Sequence, residues 1–380
     1  MELQLSDEQK LILESAERFA SEKYTFADRR SRVTRGETFN RDTWRQLADL
    51  GWFGIGVPEE AGGFGASTIE NTLIAEALAK AQALEPYTMC AVLPARILAA
   101  CPEVECAQAA LAALIAGEQV FALAYSETIS RGDPAAITTR ASKTADGWAI
   151  SGRKTLVVGG DVADQVLVTA LDAETSALHL FLVDGSAKGI SREGDKLVDW
   201  TSGLDLVFDG VQVTEGERLA SGDDALAIIR AALDDAAVVL CAEAVGAIEG
   251  AIEVTAPYIK ERHQYGVSLS SFQVLQHRMA DMAMELVLAR SAVMCALHAL
   301  SNAEPVERSA RVAGCKAYVT RIGKWATSQG IQLHGGYGIT EEYSVGQYYK
   351  RLLVIDALLG RQDFQLGRYT EWMTAQLPAA

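Results

Sequence analysis

The spacing of apolar and polar residues changes period twice along the chain. From the N-terminus to about residue 120 apolar positions recur at helical spacing. Leu11, Ile12 and Phe19 form one stripe, preceded by Ser6 as an N-cap and by Asp7-Glu8-Gln9 in a first turn. Trp44, Leu47 and Ala48 mark a second helix that ends at Leu50-Gly51, and a Gly/Pro-rich loop covers 51–67. Helices are predicted again over 69–83 and 106–116. Near Gln119 the pattern shortens to alternating or β-branched segments at 120–124, 148–151, 155–158, 165–170, 178–183 and 206–213. Turn signals such as Asp146-Gly147, Gly159-Gly160-Asp161 and Asp209-Gly210 separate them. After Gly222 the helical period returns, over 223–261, 272–301, 305–330 and 343–358.

This order predicts an α+β multidomain chain. Its parts are an N-terminal helical domain (1–120), a central β domain (121–216) and a C-terminal four-helix bundle (217–380). A sandwich or small barrel fits the β part, because no helical crossovers fall between its strands. A length of 380 residues agrees with two or three domains. The 34 basic and 50 acidic residues give a net charge of −16, which argues against a nucleic-acid partner or an anionic membrane surface. No apolar run is expected to span a bilayer. The first residues carry no basic-then-apolar leader, so a cytoplasmic location is expected. The six cysteines form no C-x-x-C pair and read as buried free thiols.

The candidate chemistry narrows by exclusion. The five histidines show no i,i+4 pair and no Cys/His cluster, so no metal site is expected. There is no G-x-S-x-G elbow and no G-x-G-x-x-G between strand and helix. Three segments remain. The first is Glu261-Arg262-His263-Gln264-Tyr265-Gly266 with Phe272-Gln273 beyond it, where an Arg fork at a helix end suits a pyrophosphate. The second is Gln332-Leu333-His334-Gly335-Gly336-Tyr337-Gly338, whose glycines let main chain approach a ligand. The third is Tyr125-Ser126-Glu127, Arg131-Gly132-Asp133 and Gly152-Arg153-Lys154-Thr155. Taken singly, each also reads as a capped helix end, a turn or a polar loop.

In this order and at these separations the segments resemble the acyl-CoA dehydrogenase family, over nearly the whole chain. The resemblance includes LADLGWFGIGVPEEAGGFG, GWAISGRK, ERHQYG and QLHGGYG. It implies FAD held across a subunit interface, an acyl-CoA thioester substrate and an electron-transfer flavoprotein-type acceptor. In that family a carboxylate removes the α proton of the thioester while a hydride equivalent passes from Cβ to the flavin. An α proton is weakly acidic, so the carboxylate must be positioned and raised in pKa by a desolvated site.

The two positions at which the family carries that carboxylate are aliphatic here: Leu359, before Gly360, and Ala236, on the long helix. Asp235 is the fallback, turned about 100° around the helix from Ala236. Asp356 and Glu243 are poorer still. The flavin-facing T-E-P-x-A-G-S-D motif reads Ser126 to Asp133, keeping a hydroxyl at Ser126, while W-I-T reads Leu156-Val157-Val158 and loses both stacking and donation. By contrast Arg262, Tyr265, Gln273, Gln332, Gly335 and Gly336 match the motifs that hold the FAD of a neighbouring subunit, with Tyr265 standing where the family has Phe. Losses fall on groups acting in cis and retention on groups acting in trans. The resemblance therefore implies a non-catalytic subunit that completes the FAD site of a homologous catalytic partner, in an α2β2 heterotetramer of fatty-acid or steroid side-chain degradation. Two alternatives stay open: an active homo-oligomeric enzyme with a relocated base, and a flavin-free scaffold.

Overall fold

The computed structural model describes residues 5–194 and 196–377. In chain order, six helices come first: α1 (Asp7–Lys23), α2 (Phe26–Thr34), α3 (Arg41–Asp49), α4 (Thr68–Lys80), α5 (Leu93–Ala99) and α6 (Glu105–Ile115). Strands β1 (Phe121–Ala124), β2 (Arg140–Lys143), β3 (Gly147–Val158), β4 (Gln165–Asp172), β5 (Leu178–Asp184), β6 (Ile190–Glu193), β7 (Gly203–Thr214) and β8 (Arg218–Ser221) follow. Then come α7 (Gly222–Glu261), the hairpin β9 (His263–Gln264) and β10 (Val267–Ser268), α8 (Gln273–Asn302), α9 (Pro305–His334), α10 (Val345–Ala357) and α11 (Gln362–Ala375). The helical, β, helical order is the expected one.

Local chemistry explains the helix starts. Ser6 accepts the Gln9 N–H, and the Gln9 side chain returns to the Ser6 N–H, a complete capping box. Thr25 and Asn40 cap α2 and α3 through the same kind of bond. The long helix expected over 223–261 is continuous as α7, although Pro257 lies inside it.

The chain divides into two compact units. One holds residues 36–71 and 84–236. Its sheet runs β6-β7-β3-β2-β4-β5-β8, with β1 beside β4. Most pairs are antiparallel, but β1 and β2 each pair with β4 in parallel, without a helical crossover. Trp148, Ile150, Val168, Phe181, Leu206 and Val211 lie in its buried core. The segments expected at 148–151 and 155–158 are one strand, β3, broken in register between Lys154 and Val157, where Leu156 takes φ +55°. Three strands of this sheet escaped the sequence pattern: β2 and β6 are mostly exposed and carry little apolar alternation, and β8 has only four residues.

The other unit holds, among the described residues, 5–35, 72–83 and 237–377. Antiparallel α8 and α9 are tied by Arg278 to Gln329 and by Tyr318 to Glu285. Gly323 and Gly330 let α9 approach Leu352 and Val345 of α10, with Ile248 and Thr255 of α7 just beyond. A Cβ on Gly246 would lie 2.1 Å from the Glu76 carbonyl oxygen, so α7 and α4 cross where only glycine fits. A fifth helix, α11, packs on α9 beyond the four expected.

Two expectations are corrected. Helix α8 is, by length and composition, apolar enough to cross a membrane. It is tied to its neighbours through Arg278, Glu285 and Arg290, which makes it a helix of the bundle. Its apolar count was masked in sequence by interspersed polar residues. All six cysteines are free, but Cys295 is exposed and Cys106 only partly covered.

Candidate functional site

The last turn of α7 and the end of α9 border a cavity of about 580 Å³. Tyr258, Arg262, Gln332, His334, Gly335 and Gly336 are in its wall, and no Asp or Glu is. The Arg262 guanidinium lies 5.9 Å from the Tyr337 ring centre and has no carboxylate partner among the described residues. Gly335 has φ +61°, and a Cβ built on Gly335 or Gly336 meets nothing within 4 Å, so the main chain there is open to a ligand.

The aromatic wall is built from two helices. Tyr258 stacks on His334 with ring centres 4.2 Å apart and donates its hydroxyl to the His334 carbonyl at 3.1 Å. His334 Nδ1 lies 2.8 Å from the Gly330 carbonyl, so Nδ1 carries the proton and Nε2 is a buried acceptor without a partner among the described residues. Burial pushes the His334 pKa down against the opposing Gly330 bond. Burial pushes the Tyr258 phenol up, with the Arg262 charge opposing. An unpaired guanidinium, an open glycine main chain and a stacked aromatic wall suit a phosphate-bearing ligand with a flat ring, such as a dinucleotide tail.

Four of the sequence candidates, Arg262, Gln332, Gly335 and Gly336, come together in this wall. Tyr265 does not: it stands 95% exposed at the tip of the β9–β10 hairpin with φ +53°. Gln273 is an exposed first residue of α8 and is also outside the wall. Sequence reasoning missed Tyr258 and His334 as walls. The signal was there, since Tyr258 precedes Arg262 by one helical turn and shares its face.

The two positions that carry the base in the family are buried hydrocarbon here: Ala236 is 0% and Leu359 7% exposed. Nearby acids are engaged. Asp235 accepts the Thr68 hydroxyl at 2.8 Å and sits 3.8 Å from Arg96 Nε. Glu243 pairs with Arg351. Asp356 pairs with Lys324 at 2.8 Å; burial raises its carboxyl, but the lysine bond and charges hold it below the usual range.

In the β unit Ser126 is half-buried, and its carbonyl accepts the Thr155 N–H at 2.8 Å. Next to it Glu127 and Lys154 form a buried pair at 2.9 Å, with side chains 4% and 0% exposed. The carboxylate also accepts the N–H and hydroxyl of both Thr138 and Thr139. The Lys154 ammonium is completed by the Tyr125 carbonyl and the Thr169 hydroxyl. Burial raises Glu127, but the Lys154 charge and these hydrogen bonds outweigh it and bring the carboxyl to about 2. The sequence brought Glu127 and Lys154 to notice separately but not as partners. No group of three or more potential metal ligands exists among the described residues.

Three domain families match the chain end to end: acyl-CoA dehydrogenase N-terminal domain over residues 6–118, middle domain over 122–209 and C-terminal domain over 225–374. The chain belongs to the acyl-CoA dehydrogenase family. YngJ of Bacillus subtilis (strain 168), an acyl-CoA dehydrogenase by name, is 28% identical over 96% of this chain and 97% of its own. The structure of a steroid ACAD variant, Tcur3481-Tcur3483, is 27% identical with a TM-score of 0.86, covering 97% of this chain and 98% of that one. The ChsE4-ChsE5 complex from Mycobacterium tuberculosis shares the fold, with a TM-score of 0.88 at 23% identity and full coverage of both chains. As a member of that family the chain has the expected helical, β-sheet and helical domains, and the family is one of FAD-dependent oxidoreductases acting on CH–CH donors.

Proposed function

We propose that this acyl-CoA dehydrogenase is a subunit that leaves the deprotonation of the acyl-CoA to a homologous catalytic partner and completes that partner's FAD site, as α2β2. The observation that carries the reading is chemical: Ala236 and Leu359 are buried and cannot accept a proton. Their acidic neighbours Asp235, Asp356 and Glu243 are held in ion pairs. The Arg262 cavity, meanwhile, is open and free of acids.

FAD, when bound, supplies the two-electron acceptor for α,β-dehydrogenation of the thioester. On this reading Arg262 offers its planar fork to the pyrophosphate, Gly335 and Gly336 allow main chain close to the tail, and Gln332 adds an amide. Tyr265, bare of cover from its own chain, reaches toward the partner; Gln273 joins it at the rim. Ser126 keeps a hydroxyl at the position that would face a flavin held by this chain. The partner contributes the carboxylate that removes the α proton. Likeness to a steroid ACAD whose name joins two proteins favours a bulky acyl group and a two-component assembly. An electron-transfer flavoprotein-type acceptor would take up the electrons.

The relocated-base alternative depends on Asp235, whose bonds to Thr68 and Arg96 count against it. The test is co-expression with a homologous acyl-CoA dehydrogenase subunit, followed by counting flavin. One FAD per pair of unlike chains is expected. Full flavin and turnover in this chain alone would overturn the reading, and a colourless complex with every partner would favour the scaffold alternative.

A further inference from the structure

The turn after α10 is bound at several main-chain points by side chains from outside it. Lys316, on α9, has no exposed surface. Its ammonium donates to the Gly360 carbonyl at 2.7 Å and reaches the Asp356 carbonyl at 3.4 Å. The Asp356 oxygen lies in the last turn of α10, where carbonyls lack helical partners and the helix dipole favours a cation, and Gly360 stands in the turn beyond it. Gln365 Nε2 donates to the Leu359 carbonyl at 2.6 Å. The Asp356 carboxylate accepts the Gln362 N–H at 3.2 Å and pairs with Lys324.

Inside this frame Leu359 takes φ +55° and Gly360 φ +92°. A bulky residue in the left-handed region is strained, and such strain persists only where the surroundings over-determine it. A fully buried cation is a second cost, since hydrocarbon would fill the same space more cheaply. Both costs meet at one turn. Burial pushes Lys316 down to about 8, opposed by Cys241 and Asp356 and aided by Lys324.

We propose that Lys316 is a positioning residue that holds residue 359 in its left-handed turn, so that the side chain standing there points in one fixed direction. Its functional half, that residue 359 is the vacated base position, rests on the reading above. The positioning half does not.

The test uses the full chain with its leucine methyl groups isotopically labelled. The Leu359 methyl signals are expected to titrate between pH 7 and 9 in step with Lys316, and to move in Lys316→Met. The Leu352 methyls, packed on Gly323 of the same helix pair, serve as the control that stays in place. A thermal double-mutant cycle of Lys316→Met with Leu359→Gly is expected to couple by about 2–4 °C, because strain of about 1 kcal/mol is relieved only where the lysine imposes it. Leu359 signals that stay in place in Lys316→Met, equal movement of Leu352, or an additive cycle would each overturn the proposal. Should Lys316→Met not fold, Lys316→Gln, which keeps a donor, is read against the same Leu352 control. Coupling found in a chain whose partnered complex lacks flavin would sink the proposed function and leave Lys316 its role; one FAD per pair with an additive cycle would do the reverse.

Discussion

Glu127→Gln tests how the β unit is held together. The substitution keeps shape but removes the charge that compensates Lys154, whose side chain is 0% exposed. The lysine would retain the Tyr125 carbonyl at 3.3 Å and the Thr169 hydroxyl at 3.0 Å, both neutral. Removing one member of a buried pair costs about 3–5 kcal/mol. For a folding unit of about 150–250 residues that lowers the melting temperature by roughly 10 °C. Lys154→Met should cost less, because Glu127 would still accept four bonds from Thr138 and Thr139. Acid adds a second readout. Glu127 falls from its ordinary 4.5 to about 2 in the fold, so its contribution is complete above pH 4.5 and is lost as pH drops through 2. Differential scanning fluorimetry from pH 2 to 8 should show a shallower acid limb for Glu127→Gln than for the parent. A melting point within about 2 °C of the parent at pH 7, or a larger loss for Lys154→Met, would refute the reasoning.

Other substitutions probe the remaining claims. Asp235→Asn should change turnover of the partnered enzyme by less than twofold while costing about 1–3 kcal/mol in urea denaturation, since the carboxylate binds Thr68 and Arg96; loss of activity without loss of stability would reinstate it as a base. Arg262→Ala should raise the dissociation constant for FAD in the partnered complex by about 10–100-fold, at about 1.5–3 kcal/mol for a charged hydrogen bond; unchanged flavin retention would remove Arg262 from the site. Gly246→Ala should destabilise by about 3 kcal/mol, the upper end for overpacking, because its Cβ would lie 2.1 Å from the Glu76 carbonyl oxygen and main chain must shift; a loss below about 1 kcal/mol would show the α7–α4 crossing to be loose.

What the sequence made legible was whatever depends on near neighbours in the chain. The Ser6 cap, the long α7 and the strong strands β4 and β5 follow from local period and capping chemistry. Strand β2, Arg-Ala-Ser-Lys, was invisible because its main chain pairs while three of its four side chains face water. Arg262, Gln332, Gly335 and Gly336 were legible through their motifs, and they share a cavity wall. The Tyr258–His334 stack, the Glu127–Lys154 pair and the Lys316 contacts join residues 76, 27 and 44 positions apart. No periodicity registers contacts of that kind, because tertiary packing alone brings them together.

The acid-free cavity has a kinetic consequence. Its wall offers the single cation Arg262, yet the whole chain carries −16. A diphosphate ligand must therefore diffuse inward against a repulsive field before it meets an attractive pocket. Added salt shortens that field to about 8–10 Å and should quicken capture, the opposite of the slowing seen where a basic surface steers its anion.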